Sequence, residues 1–181
     1  MPKTYRTAVV LVPPQDAWPE IQAIRQQYDR HFDRWMPHIT LLYPFRPRSD
    51  WPSLLEQFEE ACQHVNSFRI GLATFRTFRH RSSYTMWLAP EPRKELARLQ
   101  TALWQIVPDC DDTRRYRDGF TPHLSVGQVH GRDQVDSTIT ALQDGWSPVQ
   151  FNASEIQLIW RNDPPDDVFR LGHRLRLGTG R

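Results

Sequence analysis

The chain has 181 residues, which is enough for one domain or for two small lobes that share a core. Lysine and arginine number 23 against 21 acidic residues, so the formal net charge of +2 excludes a protein that coats DNA through a large surplus of positive charge. With 39% hydrophobic and 24% charged residues, the composition is typical of a folded, soluble protein and excludes global disorder.

Several common kinds of site are missing from the sequence. It contains neither GxGxxG nor GxxxxGKS/T, the usual signatures of a dinucleotide site and a P-loop nucleotide site. Cys62 and Cys110 are the only cysteines, which excludes a disulfide framework and a cysteine-rich zinc site. No stretch approaches the roughly 18 apolar residues of a membrane span. We therefore expect a cytoplasmic protein with reduced thiols and no membrane contact.

The first half of the chain predicts alternating strands and helices. A continuous apolar run predicts a buried strand over residues 7–12, and apolar residues at helical spacing predict a helix over residues 18–32. Strand-forming residues between two prolines predict a strand over residues 38–43, and a helix is predicted from residue 51 to residue 65. Two further apolar segments flank a polar turn and predict a hairpin over residues 68–88.

The second half predicts a similar alternation. The predicted elements are a helix over residues 95–107, a charged loop over 109–119, a strand over 123–129, a helix over 133–142, a strand over 149–160 and a closing strand over 168–177. This mixture indicates an α+β fold rather than a doubly wound α/β fold. It also contains a weak internal repeat, because each half places a strand with the same opening pattern between two helices.

That opening pattern is the strongest signal in the sequence. Two segments share proline, histidine, an aliphatic residue, a hydroxyl residue and another aliphatic residue: PHITL from Pro37 and PHLSV from Pro122. Alternate residues of a strand face the same side, so His38 lies beside Thr40 on one face and His123 lies beside Ser125 on another. If the two halves pack about a pseudo-two-fold axis, two imidazoles and two hydroxyls converge on one cleft.

This set of side chains suits chemistry at a phosphate. The unperturbed pKa of imidazole is close to neutral, so one histidine can act as a base while the other acts as an acid. Neutral hydroxyl groups can donate hydrogen bonds to the non-bridging oxygens of a phosphate. We therefore predict His38 and His123 as catalytic residues and Thr40 and Ser125 as phosphate-binding residues. No metal or other cofactor is required, and the remaining histidines show no ligand spacing typical of a metal site.

The two motifs, and especially the string HITLLYPF over residues 38–45, resemble the 2H phosphoesterase superfamily and its bacterial 2′-5′ RNA ligase-like branch. The resemblance covers most of the chain and implies a bilobal α+β fold, with two pseudo-symmetric lobes whose antiparallel or mixed sheets form a central groove flanked by helices. It also implies hydrolysis of cyclic phosphodiesters and 2′-5′ RNA end joining, both without metal. Ser125 stands where many members have threonine, and its hydroxyl can still donate.

The family resemblance also suggests how the roles divide. For a 2′,3′-cyclic phosphate, one histidine deprotonates water, the other protonates the departing ribose oxygen, and a 2′-phosphomonoester is the product. We assign His123 as the base and His38 as the acid. The roles exchange in the direction of ligation.

Other residues are candidates for binding the substrate. Tyr43, Phe45 and Phe120 could stack on a base, with core packing as an alternative for each, and Arg161 could reach a phosphate at the rim of the groove. Two basic clusters could attract a polynucleotide backbone, or could equally be solvated loops: Arg76, Arg79, His80 and Arg81 in the predicted hairpin, and Arg114, Arg115 and Arg117 before the second motif.

We thus expect residues 1–181 to form a single domain that binds RNA or a small nucleotide carrying a cyclic or 2′-5′ phosphate. A monomer is expected, because a bilobal chain completes the site by itself, and no DNA-specific binding is expected. Two alternatives remain open. One is a non-catalytic RNA-binding module that uses the same groove, and the other is a protein-interaction domain with vestigial motifs.

Overall fold

The computed structural model describes residues 2–115 and 119–179. Within these ranges the strands are β1 (Thr7–Leu11), β2 (Ile39–Leu42), β3 (Phe68–Arg79), β4 (Ser83–Glu91), β5 (Leu124–His130), β6 (Val149–Ala153), β7 (Glu155–Trp160) and β8 (Arg170–Arg176). The helices are α1 (Trp18–Tyr28), α2 (Leu55–Gln63), α3 (Arg93–Ile106) and α4 (Arg132–Gly145). No helix in the described ranges combines the length and the apolar character needed to cross a bilayer.

The strands form two four-stranded sheets in which every neighbouring pair is antiparallel. The first sheet has the order β2-β1-β7-β8, and the second has the order β5-β4-β3-β6. The chain starts in the first sheet, builds the whole second sheet, and then returns to the first for β7 and β8. The predicted α+β fold is confirmed, and the sheets are antiparallel rather than mixed.

Each motif lies on an edge strand. The orders β1-α1-β2-α2 and β4-α3-β5-α4 repeat the same strand, helix, motif strand and helix, which agrees with the predicted internal repeat. In both sheets the motif strand is outermost and pairs with the strand that opens its repeat. The two edge strands β2 and β5 also contact each other, so the motif-bearing edges of the two sheets meet.

The helices join the two halves by crossing between them. Helix α1 belongs to the first repeat but packs against β5, whereas α3 belongs to the second repeat and contacts β2. Helices α2 and α3 pack on each other, and α4 packs on β3 and β5. One continuous hydrophobic core results, with fully buried residues from the first sheet, such as Ile39 and Leu41, and from the second, such as Leu72 and Leu124.

The first predicted helix was too long. It ends at Tyr28 and not at residue 32, because Asp29 adopts an extended backbone with φ −96° and ψ 104°. The Asp29 carboxylate accepts hydrogen bonds from the Arg25 guanidinium and from the backbone N–H of His31, so it stabilises a turn in place of another helical turn. The helix predicted from residue 51 begins instead as a 3-10 helix over Arg48–Ser53, and α2 follows it.

The strand predicted over residues 149–160 is in fact two strands in different sheets. Ala153 pairs with Phe68 in the second sheet, whereas Glu155 pairs with Arg176 in the first. Ser154 alone separates the two strands. A run of strand-forming residues does not show where its partner changes, so the pattern missed the break. The other predicted elements differ from the observed ones by a few residues at their ends.

Candidate active site

The two motifs expose the face that the strand period predicts. His38 and Thr40 keep part of their surface accessible to solvent, whereas Ile39 and Leu41 are fully buried. The second motif has the same alternation, with His123 and Ser125 partly accessible above Leu124 and Val126, which are fully buried. The core thus holds each motif from behind and leaves its histidine and its hydroxyl facing outward.

The tertiary fold brings the two imidazoles into one site. The edge strands β2 and β5 contact each other, although the histidines are 85 residues apart in sequence. The charge of His123 is among the groups that lower the pKa of His38, after burial and Arg25.

The two rings are held by the same kind of hydrogen bond. His38 Nδ1 lies 2.7 Å from the carbonyl oxygen of Met36, and His123 Nδ1 lies 2.8 Å from the carbonyl oxygen of Thr121. A carbonyl oxygen can only accept a hydrogen bond, so in both rings Nδ1 carries the hydrogen. In the neutral imidazole Nε2 then has a free lone pair, and in the charged form Nε2 carries the proton that can be donated. Both rings therefore present the same nitrogen for proton transfer.

Burial of the site favours the neutral form of both imidazoles. It lowers the pKa of His38 to about 4, and the hydrogen bond to Met36 opposes this only in part. The nearby Arg25 guanidinium also lowers the pKa of His38. Burial likewise lowers the pKa of His123, again against the hydrogen bond to Thr121. Both bases are therefore neutral at pH 7 in the unliganded protein.

A stack of aromatic rings holds His38 in place. The Trp35 ring stacks on the imidazole with 4.6 Å between centroids and 17° between planes. Phe169 in turn stacks on Trp35 at 3.8 Å. The stack fixes the plane of the imidazole, which the hydrogen bond to Met36 alone would leave free to tilt.

A buried arginine fixes the segment that carries Trp35. The Arg25 side chain is 2% exposed, and its guanidinium pairs with Asp29 at 2.8 Å. The same guanidinium donates to the Trp35 carbonyl oxygen at 2.8 Å and to the Gln22 side chain at 2.8 Å. Because the guanidinium donates all of these hydrogen bonds to groups within the fold, Arg25 anchors the loop between α1 and β2. It thereby positions His38.

A second aromatic pair supports His123. Phe78 meets the imidazole edge-on at 5.0 Å and 88°, and Trp87 approaches it at 5.9 Å and 64°. Phe78 and Trp87 stack on each other at 4.7 Å. Each histidine thus has one backbone carbonyl and one pair of aromatic rings to orient it.

The other predicted binding residues have different outcomes. Tyr43 lies edge-on to Trp35 at 5.3 Å, which places it beside the His38 stack. The Arg161 guanidinium carbon lies 5.6 Å from the Phe169 ring centroid, on the same side of the site. Phe120 is half-buried and packs against the core.

The prediction that Phe45 contacts substrate is wrong. Its side chain is fully buried, and its ring packs edge-on to Phe58 at 5.7 Å. A ring without accessible surface cannot stack on a nucleotide base. Phe45 therefore belongs to the core, which was the alternative left open by the sequence.

The two basic clusters also differ. Arg76, Arg79 and Arg81 are exposed on β3 and its turn. Arg114, by contrast, donates to Gln100 and packs its guanidinium 4.3 Å from the Trp104 ring centroid. The remaining members of the second cluster are Arg115, which pairs with two local carboxylates, and Arg117, which lies outside the described residues. The contacts of Arg114 and Arg115 are structural.

Sequence reasoning missed the residues that orient the two histidines. Arg25, Trp35 and Phe169 support His38, whereas Phe78 and Trp87 support His123. Only the spacing of Arg25 and Asp29, four residues apart on a helix, offered a signal, and that signal indicates a local ion pair rather than a role in the site. Within residues 2–115 and 119–179, no group of three or more histidine, cysteine or acidic side chains could hold a metal ion.

Comparison with known proteins identifies a family and several relatives of this chain. Residues 13–165 match the family described as the 2′-5′ RNA ligase superfamily. The Halalkalibacterium halodurans protein named "Putative phosphoesterase BH1439" is 24% identical over 169 residues, covering 91% of this chain and 96% of that protein. A protein of the same designation from Geobacillus kaustophilus, GK0864, is 25% identical over 134 residues, covering 71% of this chain and 72% of its own length.

Solved structures share the fold. TT0787 of Thermus thermophilus has a TM-score of 0.66 and 17% identity, covering 97% of this chain and 100% of its own. Escherichia coli LigT in complex with 3′-AMP has a TM-score of 0.64 and 16% identity, covering 98% of this chain and 99% of its own. The family match spans most of the sequence and includes both histidine motifs. The chain therefore belongs to the 2′-5′ RNA ligase superfamily of 2H phosphoesterases.

Proposed function

We propose that this protein is a metal-independent phosphodiesterase that opens 2′,3′-cyclic phosphates, or cleaves 2′-5′ linkages, in RNA or small nucleotides. The observation that carries the proposal is the matched pair of imidazoles, each of which holds Nδ1–H on a backbone carbonyl and keeps Nε2 for proton transfer. Escherichia coli LigT, which shares the fold, has been crystallised with 3′-AMP and with phosphate, and this supports a nucleotide phosphate as the ligand.

For a 2′,3′-cyclic phosphate, the reaction consumes one water molecule. One Nε2 takes a proton from water as the water oxygen forms a bond to phosphorus. The bond between phosphorus and one ribose oxygen breaks, and the second imidazole donates its Nε2 proton to that oxygen. The hydroxyls of Thr40 and Ser125 donate to the non-bridging oxygens, where negative charge accumulates. The product is a phosphomonoester. When the hydroxyl of a second RNA attacks the cyclic phosphate in place of water, the same two proton transfers open the ring and form a phosphodiester.

The charges around the two rings favour the reverse of the assignment made from the sequence. Burial is the main cause that lowers the pKa of both rings. For His38 the charges of Arg25 and His123 lower the pKa further and Asp29 opposes them, whereas for His123 only the hydrogen bond to Thr121 acts beside burial. A positive neighbour makes it harder for His38 to hold a proton, so His38 is better suited to be the base that starts neutral. In the direction of hydrolysis we therefore assign His38 as the base and His123 as the acid.

The experiment is to replace each histidine and to assay an RNA oligonucleotide that ends in a 2′,3′-cyclic phosphate. We expect His38→Ala and His123→Ala each to lower turnover by about 10²–10⁴-fold, because each removes one acid–base group. Turnover by the unmodified protein should persist in EDTA. The mass of the RNA end distinguishes hydrolysis from binding alone, which is what a non-catalytic RNA-binding module would show.

His64→Ala is the matched control. His64 is exposed on the end of α2, and its Nδ1 also contacts a backbone carbonyl, that of Glu60, at 2.8 Å. It resembles the two motif histidines in local geometry but lies away from them, so its removal should leave turnover unchanged. Full activity in a folded His38→Ala/His123→Ala double variant would refute the proposal.

A further inference from the structure

A pocket of about 520 Å³ lies beside His123 and is not part of the two-histidine site. Its walls include Arg76, Phe78, Trp87, Arg93 and Thr121. Thr121 supplies the carbonyl oxygen that orients the His123 ring, and Phe78 and Trp87 both contact that ring. The volume lies within the range of pockets that hold small molecules, and the pocket adjoins the candidate catalytic group.

The register of the second sheet relates this pocket to the phosphate-binding hydroxyl. Arg76 pairs with Trp87 across β3 and β4, and Trp87 pairs with Ser125 across β4 and β5. Residues directly opposite one another in neighbouring strands project from the same face. Arg76, Trp87 and Ser125 therefore form one row. The backbone of Arg76 lies two strands, or about 10 Å, from that of Ser125, whose hydroxyl we assign to the reacting phosphate.

The pocket carries unpaired positive charge. Arg76 and Arg93 are exposed, and within the described ranges neither guanidinium has a carboxylate at ion-pair distance. Glu91 is the acidic residue of the lining, and its carboxylate accepts a hydrogen bond from the backbone N–H of Arg93 at 3.0 Å. The two guanidinium groups outnumber this carboxylate, so the pocket favours an anion.

The pocket also offers an aromatic surface. Phe78 stacks on Trp87 at 4.7 Å with 24° between planes, and Phe78 remains partly accessible whereas Trp87 is 6% exposed. The buried Trp87 ring supports the partly accessible Phe78 ring, so Phe78 offers a rigid surface on which a planar ligand can stack. Arginines beside a supported aromatic ring are typical of sites for single-stranded nucleic acid.

We propose that this pocket is a subsite for the last nucleotide before the reacting phosphate. Arg76 and Arg93 bind the 5′ phosphate of that nucleotide, and the Phe78 ring stacks on its base. In an RNA that ends in a 2′,3′-cyclic phosphate, the last nucleoside is joined to the rest of the RNA only through its 5′ oxygen. The neighbouring phosphate therefore lies on the 5′ side of the reacting phosphate. The protein therefore binds the ends of oligonucleotides more tightly than free mononucleotides. This inference rests on the proposed function for the position of the reacting phosphate.

The test compares two ligands that the reaction leaves unchanged. Isothermal titration calorimetry with the unmodified protein measures the affinity for adenosine 3′-monophosphate and for a triadenylate that ends in a 3′-phosphate. We expect the trinucleotide to bind at least tenfold more tightly. In Arg76→Ala/Arg93→Ala this difference should be largely lost. The slope of log affinity against log salt concentration for the trinucleotide should decrease by about 0.7, because the protein no longer neutralises that one phosphate.

The control variant is Arg69→Ala/Lys94→Ala, which removes the same charge from exposed positions of β3 and α3 outside the pocket and should keep the tenfold difference. Equal affinity of the unmodified protein for the two ligands, no binding of the trinucleotide, or equal losses in the two double variants would each overturn the proposal. Because binding is measured without turnover, a protein that prefers the trinucleotide but converts no cyclic end would refute the proposed function and keep the subsite.

Discussion

The proline that opens each motif has a structural role at the scale of single residues. A residue that precedes proline is driven to an extended backbone, which applies to Met36 before Pro37 and to Thr121 before Pro122. In both motifs it is the carbonyl of this preceding residue that accepts the hydrogen bond from the histidine Nδ1. The proline therefore helps to present the acceptor, and the same local sequence produces the same tautomer twice.

The lowered pKa values predict how activity depends on pH. A proton nuclear magnetic resonance titration should give a midpoint of about 4 for the His38 ring and a midpoint below 6.5 for His123. Catalysis needs one charged and one neutral imidazole, and the charged form is lost as pH rises through a lowered pKa. We therefore expect kcat/KM to fall about tenfold for each pH unit above 6.5. A kcat/KM maximum above pH 7.5 would contradict these pKa values.

At the scale of elements, the contact between α1 and β5 ties the two motifs together. Gln128 of β5 donates to the Asp29 carboxylate at 3.4 Å and accepts from the Arg30 backbone N–H at 3.2 Å. Asp29 also holds Arg25, which fixes the segment leading to His38. The strand that carries His123 is thus connected, through the end of α1, to the loop that positions His38.

This contact requires a glycine at position 127. Gly127 lies at the irregularity in the pairing of β4 with β5, and a Cβ atom there would meet the Tyr28 backbone carbon at 2.7 Å. We expect Gly127→Ala to lower the free energy of unfolding by about 1–3 kcal/mol, because backbone must move to make room. Urea denaturation measures the change. Gly71→Ala is the control, since nothing lies within 4 Å of its added Cβ, and an equal loss in both variants would contradict the explanation.

At the scale of the whole molecule, the two sheets share one core and one chain path. Buried residues of both sheets belong to the same hydrophobic cluster, and the chain leaves the first sheet after β2 and re-enters it at β7. The first sheet is built from two separate segments of the chain, and the continuous second sheet packs into the same core. The two halves of the site should therefore remain in place until the whole molecule unfolds.

We predict a single cooperative unfolding transition. Cys62 and Cys110 are fully or almost fully buried, and burial raises the pKa of both thiols, that of Cys62 to about 12. Thiol reagents attack the thiolate, so both cysteines should react only as the core opens. The urea midpoint for thiol labelling of each cysteine should coincide with the midpoint from tryptophan fluorescence. Labelling of one cysteine well before the fluorescence change would show that the lobes unfold separately.

The sequence by itself determined the features that depend on near neighbours along the chain. The two-residue period of a strand was enough to place His38 with Thr40 and His123 with Ser125, each above buried aliphatic residues. The turn around Arg81 was enough to predict the β3–β4 hairpin. Backbone sterics and local patterning act over a few residues, so these properties can be inferred without the fold.

Only the tertiary structure decided which distant residues meet. The change of sheet at Ser154, the burial of Phe45 against Phe58 and the support of His38 by Trp35 and Arg25 all depend on contacts outside the motifs. The same is true of the pKa of His38, which is set mainly by burial and then by the charges of Arg25 and His123. Burial and electrostatic fields are properties of the folded assembly, and a local pattern does not specify them.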